Sequence, residues 1–327
     1  MRKIDMHVHL VGNEPSGNGC WLRVTAGKYP LYALMLKTLG LPVSCLKTAD
    51  FDDLYREKLL EYIRGSEIDA VCLLAQEAVY DTQGKVIPNC GNAYVPNDLV
   101  LQLAREHPEF LPAVSIHPAR PDALDELDRC LENGAVMMKA LPNCQNINCS
   151  DPAFKPFWTK MAEAGLPFLA HTGGENTLQV INRDYENPEI LRLPLECGVT
   201  TIAAHCATSS SLMDPNYFPK LTEMFGEHKN LFADTSALNI PLRSHGLRRS
   251  LENEVVNVRL VHGSDYPVPT SPLWAWLRGL ITTDEMSAIK SLANPIAIDH
   301  ATKMAMGFSE EHFTRINSLL RNPEKPV

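Results

Sequence analysis

Eight short apolar runs separated by amphipathic stretches constrain the fold of this chain more than any other feature. The runs cover residues 4–10, 68–75, 110–117, 136–141, 167–171, 200–206, 231–236 and 259–264. Each has the length of a β-strand. Apolar residues at helical spacing mark 51–64, 98–106, 122–132, a stretch from about 150 to 164, 186–196, 211–225 and 242–252 between them. Asp50 or Asp52 is placed to cap the first of these helices. Ser150-Asp151-Pro152 opens the fourth, with a capping residue followed by an early proline. Strands alternating with helices predict parallel β-α units. The 327 residues suit one (β/α)8 TIM barrel, a single domain over 1–327. An open doubly wound sheet fits less well, because no Gly-rich turn follows the first strand. Two additions to the barrel are expected: a long insertion after strand one, over 11–49, and extra C-terminal helices at 284–293 and 296–306. The insertion carries an apolar segment, 31–39, and would lie above the barrel mouth as lid, core or dimer contact.

The first strand reads KIDMHVHL from Lys3 to Leu10. Side chains alternate along a strand, so Asp5, His7 and His9 are expected on one face, with Met6, Val8 and Leu10 on the other. In a barrel the polar set would face the interior. Buried imidazoles need partners, and a divalent metal ion is an economical one. Two hydrogen-bonded structural histidines would produce the same pattern, so His-x-His alone decides nothing. Its company does. Lys139 in VMMKALP, His171 in FLAHTGGEN, His205 in IAAHCATS and Asp265 in LVHGSDYP stand at the ends of strands four, five, six and eight. In a parallel barrel those ends share one rim, where active sites form. Three imidazoles and a carboxylate make a ligand set for a hard or borderline divalent ion. His262 has the opposite parity from Asp265 and should point towards the helices.

The ordered set His-x-His, Lys, His, His, Asp resembles the metal-dependent amidohydrolase superfamily. The segments MMKALPNCQNINCSDPAFKPFWTKMAEAGLPFLAHTGGEN and LVHGSDYP are most similar to its amidohydrolase-2, or amidohydrolase-related, family. The resemblance covers nearly the whole barrel. It implies a distorted (β/α)8 barrel with a divalent metal at the strand ends. His7, His9, His171 and Asp265 match the usual ligands of a single ion, expected to be Zn2+. His205 matches the position that orients or polarises water or substrate, and it would join a second metal in a binuclear site. Lys139 is a ligand only if carboxylated, as in binuclear members. The implied activity is hydrolysis of a small-molecule amide, lactone or ester by a water that the metal activates. Asp265 would serve as general base, and His205 would stabilise the oxyanion.

Weaker candidates for substrate contact are His117 at the end of strand three, Glu175 after His171, and Arg23 beside Trp21. Each competes with an ordinary structural or surface role. The same metal site would also serve a nonoxidative decarboxylase, for which a guanidinium near the metal-facing pocket would speak. A TatD-like nuclease also opens with His-x-His, but usually carries Glu where this chain has Lys139. The formal net charge of −9 at pH 7 disfavours a nucleic-acid partner. An inactive metal-binding barrel is the remaining alternative. No run is long and apolar enough to span a bilayer, and the start of the chain lacks the pattern of a signal peptide. Nine scattered cysteines fit a reducing cytoplasm better than a disulfide framework. The expected partner is therefore a small molecule in the cytoplasm, with a homodimer allowed.

Overall fold

The computed structural model describes residues 1–211 and 213–323. Its centre is a parallel sheet of eight strands in sequential order: β1 (Ile4–His9), β2 (Ala70–Leu74), β3 (Phe110–Val114), β4 (Met137–Ala140), β5 (Phe168–Ala170), β6 (Thr201–Ala203), β7 (Leu231–Asp234) and β8 (Leu260–Val261). The sheet closes where β1 meets the segment after β8. Met6 N donates to His262 O (3.1 Å), Asp265 N to His7 O (2.9 Å) and His9 N to Tyr266 O (2.8 Å). This is the (β/α)8 barrel that the alternation of apolar runs predicts.

Two apolar layers hold it together. Ile4, Met6, Cys72, Met137, Leu169, Ile202 and Val261 pack with one another from different strands and fill the barrel interior. Their strand neighbours, such as Val8, Val71, Val114, Met138 and Phe168, face outwards into the helices. The helix Phe51–Arg64 shows how the outer layer is built: Phe51, Tyr55, Leu59, Leu60 and Ile63 form one buried stripe at helical spacing. Fully burying each such side chain contributes roughly 1.5–3 kcal/mol.

The helices differ from the sequence pattern in particular places. Neither Asp50 nor Asp52 caps Phe51–Arg64; Asp52 instead accepts from Asn13 N (2.8 Å) and Asn18 Nδ2 (3.1 Å), tying the insertion to the barrel. Asp151 does cap, accepting from Ala153 N (2.9 Å), and opens a 3-10 turn that leads into Lys155–Glu163. The stretch 186–196 is not one helix: Pro188 opens a 3-10 turn, Pro188–Leu191, and the short helix Arg192–Glu196, with Pro194 inside it, follows directly. The helix expected over 211–225 starts only at Phe218, and Leu212 lies outside the described residues.

The insertion after β1 is structured. It contains the strand Trp21–Leu22, the helix Tyr29–Thr38 and the 3-10 turn Val43–Lys47. Trp21–Leu22 pairs antiparallel with Ala93–Tyr94, which lies in a second excursion after β2. The sequence pattern did not show that second excursion. The two expected C-terminal helices are Thr283–Lys290 and Pro295–Ala305, the second packed on Phe51–Arg64; Glu310–Thr314 follows and packs against β1 and β8. Among the described residues, no helix is long and apolar enough to cross a membrane.

Candidate metal centre

Strand parity delivers most of the site. Two residues beyond interior Met137 comes Lys139, beyond Leu169 comes His171, beyond Phe232 comes Asp234, and beyond Val261 come Gly263 and Asp265. All of these stand at the C-terminal rim. β1 departs from simple alternation. Its pairing with β2 shifts register between Asp5 and Val8, a bulge that brings Met6 and His7 to the same side. His7 and His9 therefore face the interior, as expected, but Asp5 does not share their face. Asp5 lies outside the barrel wall, where Oδ1 accepts from His7 N (3.1 Å) and Ser264 N (2.9 Å). It clasps β1 to the segment after β8 from behind. Burial raises its pKa to about 7, against these hydrogen bonds and the charge of Lys303. His262 also lies on the outer side, against Phe313 and His312, as its parity requires.

On the interior side, His7 Nε2 and His9 Nε2 converge on Asp265 Oδ1, at 3.2 and 3.3 Å. Ligand atoms at the edges of a zinc tetrahedron stand about 3.3 Å apart, given bond lengths of about 2.0–2.1 Å. Among the described residues these three form one of two groupings of metal-binding side chains. The other joins His7, His205 and Asp234. Its hydrogen bonds give it a different job. Asp234 Oδ2 accepts from His7 Nδ1 (2.7 Å), which leaves the Nε2 lone pair to face Asp265. Asp234 Oδ1 accepts from Ser236 Oγ (2.5 Å), Ser236 N (3.0 Å) and His205 N (2.7 Å). With its proton given to Asp234, Ser236 Oγ must accept from His205 Nδ1 (2.8 Å). His205 Nε2 then accepts from His171 Nδ1 (3.2 Å). That assignment leaves the buried His171 Nε2 without a hydrogen-bond partner and with a free lone pair. One carboxylate, Asp234, thus sets the tautomers of both His7 and His171 so that each presents Nε2. The donor set and the orphaned imidazole nitrogen fit a divalent ion.

Electrostatics agree with this fit. Burial, then the charge of Lys139, pulls His7 down to about 4 despite Asp234 and Asp265. Burial and the buried Arg243 hold His171 and His205 well below the ordinary imidazole range. Burial opposes ionisation of Asp234 and Asp265, but neighbouring histidines outweigh it and keep both carboxyls well below the usual carboxylate range. Neutral imidazoles and ionised carboxylates are the protonation states that a metal requires. Lys139 is the exception. Its Nζ donates to His7 Nε2 (3.1 Å), the same lone pair that would bind an ion, and burial pulls its pKa down to about 8.

The backbone is unusual where the chemistry concentrates. His205, Cys206 and Ala207 are consecutive left-handed residues (φ 59°, 50° and 51°), and Asp265 has φ 69°. Non-glycine residues take this conformation at a cost, and such strain clusters at functional sites. Gly263 is needed for close approach, since a Cβ there would stand 2.7 Å from His7 Cβ.

The weaker candidates fall in different places. Glu175 lines the cavity above the site, and its Oε2 lies 3.7 Å from His171 Nε2. His117 is not among the cavity residues; its ring nitrogens meet Ala119 N and Gln145 O, both at 3.1 Å. Arg23 stacks on Trp21 (4.1 Å) and faces a separate groove with Glu77 and Arg120. Asp234 and Arg243 were not singled out from the sequence. The strand-end rule could have found Asp234, because ADTS closes the seventh run as AHCA closes the sixth. Arg243 comes from a loop region and carries no such signal; it is buried and donates to Thr208 O (2.8 Å) and to Gly174 O.

Replacing Asp234 with asparagine should free both imidazoles to adopt the wrong tautomer. Loss of such an orienting group typically costs about 10–100-fold in metal affinity. Competition with a chromophoric chelator measures this directly.

A parallel eight-stranded barrel with buried histidines and carboxylates at its C-terminal rim has the architecture of a TIM-barrel enzyme. The chain belongs to the amidohydrolase-2 family, whose model, described as amidohydrolase, matches residues 4–288, and it is an enzyme of the amidohydrolase superfamily. No curated protein matches the sequence. Solved structures share the fold at low identity. An uncharacterized TIM-barrel protein from Bordetella bronchiseptica is 17% identical, with a TM-score of 0.59 over 98% of this chain and 99% of that one. A protein assigned as a 2-pyrone-4,6-dicarboxylic acid hydrolase from Pseudomonas putida is 14% identical, with a TM-score of 0.56 over 98% and 95%. The 5-carboxyvanillate decarboxylase of Sphingomonas paucimobilis is also 14% identical, with a TM-score of 0.52 over 96% and 99%.

Proposed function

We propose that this chain is a metal-dependent hydrolase of a small-molecule amide, lactone or ester. His7, His9, His171 and Asp265 would hold one divalent ion, zinc by the chemistry of the donor set. The observation that carries this reading is the convergence of His7 and His9 Nε2 on Asp265 Oδ1 at 3.2 and 3.3 Å, with His7 Nδ1 already committed to Asp234. When bound, the ion supplies Lewis acidity, polarising a scissile carbonyl and making water nucleophilic near neutral pH. Asp265, held ionised, accepts the proton of the attacking water and returns it to the leaving group. His205 takes a narrower role than the sequence implies. Its Nε2 accepts from His171, so in this arrangement it cannot donate to an oxyanion; it holds His171 in place beside the cavity that both line. Glu175 closes the rim next to His171.

The structure bears on the decarboxylase alternative through the cavity wall. Among the described residues no lysine or arginine lines it, and the guanidinium of the nearby buried Arg243 is already engaged by Thr208 O and Gly174 O. The test is a screen of amides, lactones and esters for acid release, run beside carboxylated aromatics for CO2 release. CO2 release without hydrolysis would establish decarboxylation instead. Free thiols throughout the described cysteines agree with the cytoplasmic location we propose.

Lys139 decides the number of ions. As an ordinary amine it must release His7 Nε2 when an ion binds there, and Lys139→Ala should keep one ion per chain. If instead Lys139 is carboxylated and bridges two ions, the wild type holds two and the variant loses at least one. Metal stoichiometry by elemental analysis separates the cases.

A further inference from the structure

The cavity above the metal centre has a lopsided chemistry. Its floor is polar: His9, His171, His205 and Asp265. Its walls are almost wholly apolar, and its space totals about 920 Å3 when the part open to solvent is counted. The insertion supplies one wall through Tyr32, Met35, Leu36 and Leu39 of the helix Tyr29–Thr38 and its end. Val95, Leu141, Leu178 and Val268 close the other sides. Leu36 and Leu39 belong to the packed core, whereas Met35 is buried without belonging to it and is the adaptable part of this wall. The insertion is held down at its other end, where Lys28 Nζ donates to Asn176 O. Away from the metal ligands, the charged residue in the lining is Glu175. Its Oε1 accepts from Thr177 N and, at 2.9 Å, from Leu178 N, which fixes a negative charge at the wall.

From this arrangement we infer that the substrate has an uncharged, apolar body, aryl or alkyl, carrying no carboxylate beyond the group that reacts, and that the helix Tyr29–Thr38 selects it. The inference rests on the hydrolytic reading for what happens at the floor of the cavity, but not for what fills the walls. Burying hydrocarbon against Tyr32, Met35 and Leu36 is favourable for each methylene removed from water. A second carboxylate on the same body would be stripped of water with no lysine or arginine among the described residues of the wall to receive it, and would face Glu175. Such a wall separates this chain from an enzyme for dicarboxylic acids.

The test uses hydroxamates on the zinc-loaded full chain, with binding read by calorimetry so that turnover is not required. The probes are butanohydroxamate, hexanohydroxamate, octanohydroxamate and the octano analogue bearing a terminal carboxylate. Affinity should rise by about fourfold per methylene at first, from about 0.8 kcal/mol each. The terminal carboxylate should reverse at least the gain of the last two methylenes. Leu36→Ala should flatten the chain-length series, and Met35→Lys should improve binding of the carboxylated probe by about tenfold relative to the neutral one. Equal or tighter binding of the carboxylated probe by the wild type overturns the inference, as does failure of any neutral probe to bind. Graded binding of neutral probes with no turnover of matched amides, lactones or esters supports the inference and removes the hydrolytic reading.

Discussion

Asp265→Asn is expected to lower kcat by about 10²–10⁴-fold with the metal still bound, the usual worth of a general base. Asparagine preserves the size of the side chain and one oxygen that can face His7 and His9. What it removes is the ability to take a proton. Wild-type Asp265 is buried, yet neighbouring His7, His9 and Lys139 keep its carboxyl well below the usual carboxylate range, so it is ionised and ready as an acceptor. Steady-state kinetics on the best substrate of the screen, paired with metal analysis of the same sample, isolates the effect. Full turnover by a metal-loaded Asp265→Asn enzyme would exclude proton transfer through this residue.

Protein purified without chelator should contain one divalent ion per chain, and removing it should cost about a thousandfold or more in turnover. Lewis-acid stabilisation of a developing oxyanion is worth several kcal/mol, and each 1.4 kcal/mol is roughly tenfold in rate. The fold should survive removal, because two apolar layers hold the barrel independently of the rim. Circular dichroism of the stripped protein, followed by re-addition of zinc and an activity assay, checks both halves of this expectation. An enzyme fully active after exhaustive chelation would sink the metal-dependent reading.

Much of this architecture was legible because it depends on periodicity. Eight strand-sized runs and an amphipathic stripe such as that of 51–64 follow from burial alone, and a barrel is their economical closure. The rim residues Lys139, His171 and Asp265 were legible for the same reason: parity carries each from an interior neighbour two residues earlier. The failures occur where parity is locally broken or the contact is distant. The bulge between Asp5 and Val8 moves Asp5 to the outer face while leaving His7 and His9 inside, and no spacing rule announces it. The hydrogen bonds that Asp234 accepts from His7 and Ser236 were invisible for a different reason. The first joins the first strand to the seventh, the second is local, and together they decide which imidazole nitrogen is free, a question of proton placement rather than residue type. Pro188 was in plain view, and it opens a 3-10 turn within 186–196 where one helix was expected.

The seam between β1 and the segment after β8 carries a consequence for biosynthesis. His7 and His9 leave the ribosome before the rest of the barrel, whereas Asp265 and the backbone that bonds to His7 O emerge only after nearly all of it. Partial chains therefore own His7 and His9, and later His171, without Asp265. A growing polypeptide cannot assemble this ligand set until the two ends of its barrel sheet have met, which guards early imidazoles against premature capture of an ion in a competent geometry. Once the ends do meet, an ion that binds only the joined form shifts the balance towards it, by about 4 kcal/mol when present at a thousand times its dissociation constant. Acquisition of the ion is in that sense a signal of barrel closure, and its loss would first loosen the seam between β1 and the segment after β8.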